Sequence, residues 1–218
     1  RNGELAQSTG GRAARLLNFN ESAGSILVAE LGATGFQVAA SDLSGNLIGS
    51  SYIEADVSKG PDFVLTLVEK SFDSIIAKYN IKNLWGIGIG VPGPVEFANG
   101  IPVSPPIMPG WDKHPIRNRL SNHYKVPVWV DNDVNLMALG EHALRKNSIT
   151  NELIFVKIGS GIGAGILTHG QLHRGAQGCA GDIGHIALAG NDVTCRCGNL
   201  GCIEAVAGGL AIVRDAEL

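Results

Sequence analysis

The chain has 218 residues, 44% of them hydrophobic, which is enough to bury a sizeable core and to build one large domain or two lobes. Its net charge of −3 argues against a broad nucleic-acid-gripping surface on this piece. No run approaches about 18 consecutive apolar residues, so no membrane span or membrane partner is expected, and the polar, glycine-rich residues 1–15 do not read as a signal peptide.

Residues 1–24 read as an arm, with a turn-like Ser8-Thr9-Gly10-Gly11-Arg12 and a short strand predicted at Arg15-Leu16-Leu17-Asn18-Phe19. The apolar run Ser25-Ile26-Leu27-Val28-Ala29-Glu30-Leu31 predicts a buried strand. Strands over 36–43 and 47–54, joined by Ser44-Gly45-Asn46, extend it into a meander. Pro61 suits the first turn of a helix whose apolar face is Phe63, Leu67, Phe72, Ile75 and Ile76. A glycine-punctuated strand over 84–91 runs into Pro92-Gly93-Pro94, and a long proline-rich loop follows over 101–115. Next come a helix near 116–124 and a strand over 126–130. Asp131 or Asn132 is placed to cap a helix over roughly 134–145. A second strand, glycine turn and strand, over 153–158, 159–163 and 164–168, resembles the first such unit, and a helix is expected over 205–217. The pattern predicts an arm (1–24), an N-terminal lobe (25–135) and a C-terminal lobe (136–218). The chain starts at Arg1 without a methionine and stops at Leu218 inside the last predicted helix. A longer protein, with the second lobe incomplete here, is therefore expected.

Four cysteines could form two disulfides, but three of them lie within Cys195-Arg196-Cys197-Gly198-Asn199-Leu200-Gly201-Cys202. That spacing reads as metal binding in a reducing cytoplasm before it reads as a secreted framework. With His185 upstream they offer three thiolates and an imidazole, a set suited to tetrahedral Zn²⁺. Four protein ligands leave no open position, so the metal is expected to be structural. Gly198 and Gly201 allow the sharp turns between ligands, and Cys179, lying apart, is expected to be packing.

Asp131-Asn132-Asp133-Val134-Asn135 ends a predicted strand, where polar groups can project into the ligand cleft of an α/β fold. Helix capping accounts for one or two of these side chains but not readily for all. Asp133 is a candidate general base for phosphoryl transfer from a substrate hydroxyl. The two glycine turns, with Gly32 and Thr34 in the first and Gly159, Ser160, Gly161 and Gly163 in the second, are candidates for holding phosphate by backbone N–H groups and hydroxyls. Each alone is a weak signal, since such turns are common; matching positions in two lobes strengthen it.

These features, in this order, resemble the ROK family (repressors, open reading frames and kinases) over nearly the whole chain. The matching stretches include Val103-Ser104-Pro105, Pro109-Gly110-Trp111-Asp112, Asn132-Asp133, Ala138-Leu139-Gly140-Glu141, Arg174-Gly175, Gly181-Asp182-Ile183-Gly184-His185 and the cysteine run ending at Glu204. The resemblance implies a two-lobed, actin-like ATPase fold of the ribonuclease H-like, hexokinase type, with a sugar held between the lobes. It implies sugar contacts at Asn132, Asp133, Asp182, His185 and Glu204, a catalytic base at Asp133 if the chain is a kinase, and a His185 that touches both zinc and sugar.

The family divides into sugar kinases, which use ATP and Mg²⁺, and sugar-responsive transcription factors of the NagC and xylose-repressor type. At the first turn the kinases usually show Asp-x-Gly-Gly-Thr, whereas this chain has Glu30-Leu31-Gly32-Ala33-Thr34, whose extra methylene and methyl intrude where phosphate and Mg²⁺ would sit. Asp182 stands where the family usually has Glu, and Pro106-Ile107-Met108 replaces a usual Asn. The arm resembles the junction between a winged helix-turn-helix and the sugar domain of the regulators. The expectation is a sugar-binding effector domain of a transcriptional repressor, acting on operator DNA through an upstream domain and assembling as a homo-oligomer (dimer or tetramer). A hexose kinase is the alternative.

Overall fold

Alternating burial of Leu27, Ala29 and Leu31 makes Ser25–Leu31 a strand (β1) with one face on the core. The computed structural model describes residues 10, 17–145 and 151–216. β2 (Gly35–Asp42) and β3 (Leu47–Glu54) follow in antiparallel register. Asp42 closes the turn between them, its carboxylate accepting from the amides of Ser44 and Asn46 and from the Asn46 side chain. The turn-like segment expected at Ser8–Arg12 lies outside the described residues except Gly10. Of the strand expected at Arg15–Phe19, the described part, Leu17–Phe19, is irregular and exposed. No neighbouring strand pairs with it, and the chain enters β1 through a 3₁₀ turn at Glu21–Ala23.

Helix α1 (Pro61–Lys78) starts on proline, as expected. Its buried stripe is Val64, Leu65, Val68, Phe72 and Ile75. The spacing of three and four carries this stripe past Phe63, which is exposed and lies under the Lys59 ammonium. β4 (Leu84–Val91) then returns parallel to β1. A small hairpin, β5 (Val95–Glu96) with β6 (Ile101–Pro102), opens the proline-rich loop. That loop is anchored by Met108 and Trp111, both fully buried, and the indole N–H donates to the Val57 carbonyl at 3.0 Å.

Helix α2 (Ile116–Tyr124) is tied to α1 by Arg119, whose guanidinium grips both oxygens of Glu69 at 2.7 and 2.9 Å and reaches Asp62 at 2.9 Å. Replacing Arg119 with Met keeps the aliphatic packing and removes this fork. A loss of roughly 1–2 kcal/mol in denaturant unfolding is expected, the range for hydrogen bonds to charged partners after partial solvent screening; an unchanged midpoint would mean that the fork is fully screened.

Strand β7 occupies Val128–Asn132, two residues later than periodicity suggested. Pairing decides the shift: Ile87 faces Val128 and Val91 faces Asn132, so the strand runs on until the chain turns into α3 (Asp133–Leu144). The sheet order is β3-β2-β1-β4-β7, with β4 and β7 parallel to β1 and α1 and α2 making the crossovers.

The second sheet repeats the opening of the first, its order β10-β9-β8 echoing β3-β2-β1. It contains β8 (Leu153–Ile158), β9 (Ile162–Thr168, two residues earlier than expected) and the short β10 (Gln171–Leu172). Helix α3 lies against β8 and β9, so the boundary expected after residue 135 falls inside this helix. Gly165 permits the approach, because a Cβ there would come within 2.5 Å of the Ala138 Cβ. The helix expected over 205–217 is two helices, α4 (Ile203–Ala207) and α5 (Gly209–Ala216). Gly208 is extended, and the chain steps aside so that the Gly209 N–H donates to the Gly159 carbonyl at 2.7 Å. Among the described residues no helix is long and apolar enough to cross a membrane.

Candidate functional site

Parallel strands β1, β4 and β7 end on the same edge of the first sheet, and the β8–β9 turn faces that edge. An open cleft of about 900 Å³ lies there. Gly32 and Ala33 line it from the first turn, and Ser160, Gly161 and Gly163 from the second. All five residues expected to contact sugar, Asn132, Asp133, Asp182, His185 and Glu204, line the same cleft although they come from three separate stretches of chain. Thr34 is exposed and lies outside the lining. Gly159 also lies outside it, its N–H donating to the Gly161 carbonyl and its own carbonyl accepting from Gly209.

The polar run at the end of β7 divides its labour. Asn132 is the cap of α3: its Oδ1 accepts from the Val134 and Asn135 amides at 2.9 and 3.1 Å, while its Nδ2 donates to the Gly93 carbonyl at 3.0 Å. Asp131 is buried and held by Arg174, both Nε and Nη2 donating to Oδ2 at 2.9 and 2.7 Å, while its Oδ1 accepts from the Asn135 side-chain Nδ2 at 3.2 Å. Arg174 in turn lies over the Phe97 ring, its Cζ 3.8 Å from the ring centre. These contacts are structural and fix the strand end. Asp133 faces the cleft beside Asn132. It is only 7% exposed, and its Oδ1 accepts from the Val134 amide at 2.9 Å.

The other oxygen of Asp133 accepts from the Lys157 ammonium at 2.7 Å, and Lys157 also lies 3.6 Å from Glu30. Burial alone would lower the Lys157 pKa, but the hydrogen bond and charge of Asp133, with Glu30 adding to them, raise it above its ordinary value. Sequence reading missed Lys157. The available signal was a lone charge in the apolar strand Leu153-Ile154-Phe155-Val156-Lys157-Ile158.

Across the cleft, Asp182 has its carboxyl pushed up by burial, against the pull of His185 and Cys179. Glu204, in the first turn of α4, accepts from the Ile162 amide at 2.9 Å and so holds the second glycine turn in place.

Behind this wall His185, Cys195, Cys197 and Cys202 converge, their ligand atoms all within 4.8 Å of one another. His185 Nδ1 is 3.7 Å from the Cys195 sulfur, and the Cys197 and Cys202 sulfurs are 3.7 Å apart. A tetrahedral ion with metal–sulfur bonds of about 2.3 Å requires donor–donor separations of about 3.8 Å, so the four residues fit a zinc-type site. Gly198 and Gly201 have φ of +90° and +70°, the left-handed turns expected between the ligands. Among the described residues no other such cluster occurs, and Cys179 is exposed and apart from it.

Residues 26–218 match the family model described as ROK family. The xylose repressor of Caldicellulosiruptor bescii (strain ATCC BAA-1888 / DSM 6725 / KCTC 15123 / Z-1320) is 35% identical, over 95% of this chain and 52% of its own length. A glucokinase of Halalkalibacterium halodurans (strain ATCC BAA-125 / DSM 18197 / FERM 7344 / JCM 9153 / C-125) is 30% identical, over 86% of this chain and 57% of its own. Among solved structures, a ROK family transcriptional regulator homologous to the E. coli MLC protein superposes with a TM-score of 0.79 and 26% identity, over 91% of this chain and 50% of that one. The chain thus spans about half the length of the relatives it matches.

Proposed function

The chain belongs to the ROK family, and from that premise we propose that it is the sugar-binding effector domain of a transcriptional repressor, joined upstream of Arg1 to a DNA-reading domain. The observation that carries the reading is the reach of the repressor match. Covering 95% of the chain leaves about 11 of its 218 residues unaligned, so that match extends into residues 1–24. The glucokinase match, at 86%, does not need to.

In this reading the sugar lies between the lobes against Asp133, Asp182, His185 and Glu204, with Asn132 supporting the site as the α3 cap. Residues 1–24 are the connecting arm, and the assembly is a homodimer or tetramer. Zn²⁺, held by His185, Cys195, Cys197 and Cys202, fixes the wall that carries His185 and Glu204 and takes no part in chemistry. Sugar binding acts by population shift: it changes DNA affinity only to the extent that it binds one arrangement of the lobes more tightly than the other.

The first sugar to test is D-xylose, followed by hexoses and N-acetylated amino sugars. Titration of labelled operator DNA with the full-length protein is expected to show an affinity change of about 5- to 150-fold on adding the effector, the usual range of such coupling. Equal operator affinity with and without every sugar that binds would exclude the repressor reading.

A second reading, a sugar kinase, is favoured by Asp133 at the strand end and by the glucokinase relatives. Sugar-dependent ADP release at roughly 1–100 per second would establish it. Absence of turnover with a sugar that binds leaves the regulator.

A further inference from the structure

Lys157 stands on β8, whereas both carboxylates it meets belong to the other side of the cleft, Glu30 on β1 and Asp133 at the head of α3. We propose that Lys157 is a specificity-determining residue whose ammonium serves as a built-in counter-cation between Asp133 and Glu30, so that the cleft excludes a divalent ion and the polyphosphate that travels with it. This deepens the regulator reading and rests on it for its biological meaning.

The chemistry follows from the geometry. One oxygen of Asp133 accepts from the Val134 amide and the other from Lys157, so a metal ion bound to this carboxylate would sit beside the ammonium. Glu30 is drawn to the same ammonium at 3.6 Å. A hard divalent ion needs anionic oxygen ligands, and the two carboxylates on this side of the cleft, Asp133 and Glu30, already have their cation. Adding two positive charges beside a half-buried ammonium is repulsive at short range. Without a metal, a polyphosphate would confront Asp182 and Glu204 across the cleft, with Arg196 the further cation in the lining to set against them. A neutral hydroxyl escapes both penalties. A carboxylate has about four lone-pair positions, so Asp133 can accept from a sugar hydroxyl while keeping Lys157.

The test is a titration of full-length protein with Mn²⁺ alone, following free ion by electron paramagnetic resonance. Lys157→Met keeps the aliphatic stem and removes the charge, and Lys157→Gln is the second variant should the first fail to fold. Either is expected to gain one Mn²⁺ site at least tenfold tighter than any site in the wild type that depends on Glu30. Adding Glu30→Gln should abolish that site, and Lys157→Arg should behave as wild type. A merely structural lysine would not produce this pattern. Identical Mn²⁺ binding by the wild type and both neutral variants overturns the proposal, as does a gained site that survives Glu30→Gln. Neither sugar nor DNA enters the measurement, so a protein that binds no sugar would defeat the regulator reading without touching this result.

Discussion

Cys197→Ser is expected to reduce bound zinc from about one ion per chain to near zero, because a neutral serine hydroxyl is a poor replacement for a thiolate in a tetrahedral site. The site has no spare donor: among the described residues the cluster consists of four side chains, and Cys179 is elsewhere. Structural zinc contributes on the order of 10 kcal/mol where it organises a whole small domain. In the proposed site it would organise only the irregular segment between β10 and α4, so a loss of roughly a third of that, about 3 kcal/mol, is the expected effect. For a chain of this size that corresponds to a fall in Tm of about 6–12 °C. Sugar affinity should fall with it, since Glu204 follows Cys202 by two residues and His185 is itself a ligand that lines the cleft. Metal analysis and a thermal melt on the same sample decide the matter. Unaltered zinc content would remove Cys197 from the ligand set, and full zinc loss with an intact melt would mean that the metal is peripheral to the fold.

Asp133→Asn is expected to weaken sugar binding by roughly 10- to 100-fold, the equivalent of losing charge-assisted hydrogen bonds worth about 1.5–3 kcal/mol. The amide has nearly the same shape as the carboxylate, and α3 keeps its cap, since Asn132 also accepts from the Val134 amide. The melt should therefore change little while calorimetry with sugar changes much. Lys157 loses its closer partner but retains Glu30, so the lysine stays in a polar setting. Unchanged sugar affinity in a folded protein would sink the role of Asp133 as the hydroxyl acceptor.

These expected effects depend on features of unequal legibility. The four clustered side chains could be picked out from spacing because a tight Cys-x-Cys-x₄-Cys run with glycines between its members has few physical uses other than metal binding. Strands β1, β3, β4 and β8 and helices α1 and α2 were likewise visible, because apolar period and punctuation by proline and glycine act locally. The residues proposed to face sugar came from a resemblance and not from local physics, since nothing in Asp182 or Glu204 alone announces that the two line one cleft.

What the chain by itself determined was therefore the type and order of its elements, the zinc-type cluster and the polar strand end, all set by interactions within a few residues. Tertiary structure decided where β7 stops, because register against β4 overrides periodicity, and it broke the last helix at Gly208 to satisfy Gly159. It also assigned Asp131 to Arg174, Asn132 to the helix cap and Asp133 to Lys157. Neighbouring polar side chains on one strand end look interchangeable in sequence. Only the partners that the fold brings from 24 and 43 residues away separate Asp133, which meets Lys157 in the cleft, from Asp131, which Arg174 holds outside its lining.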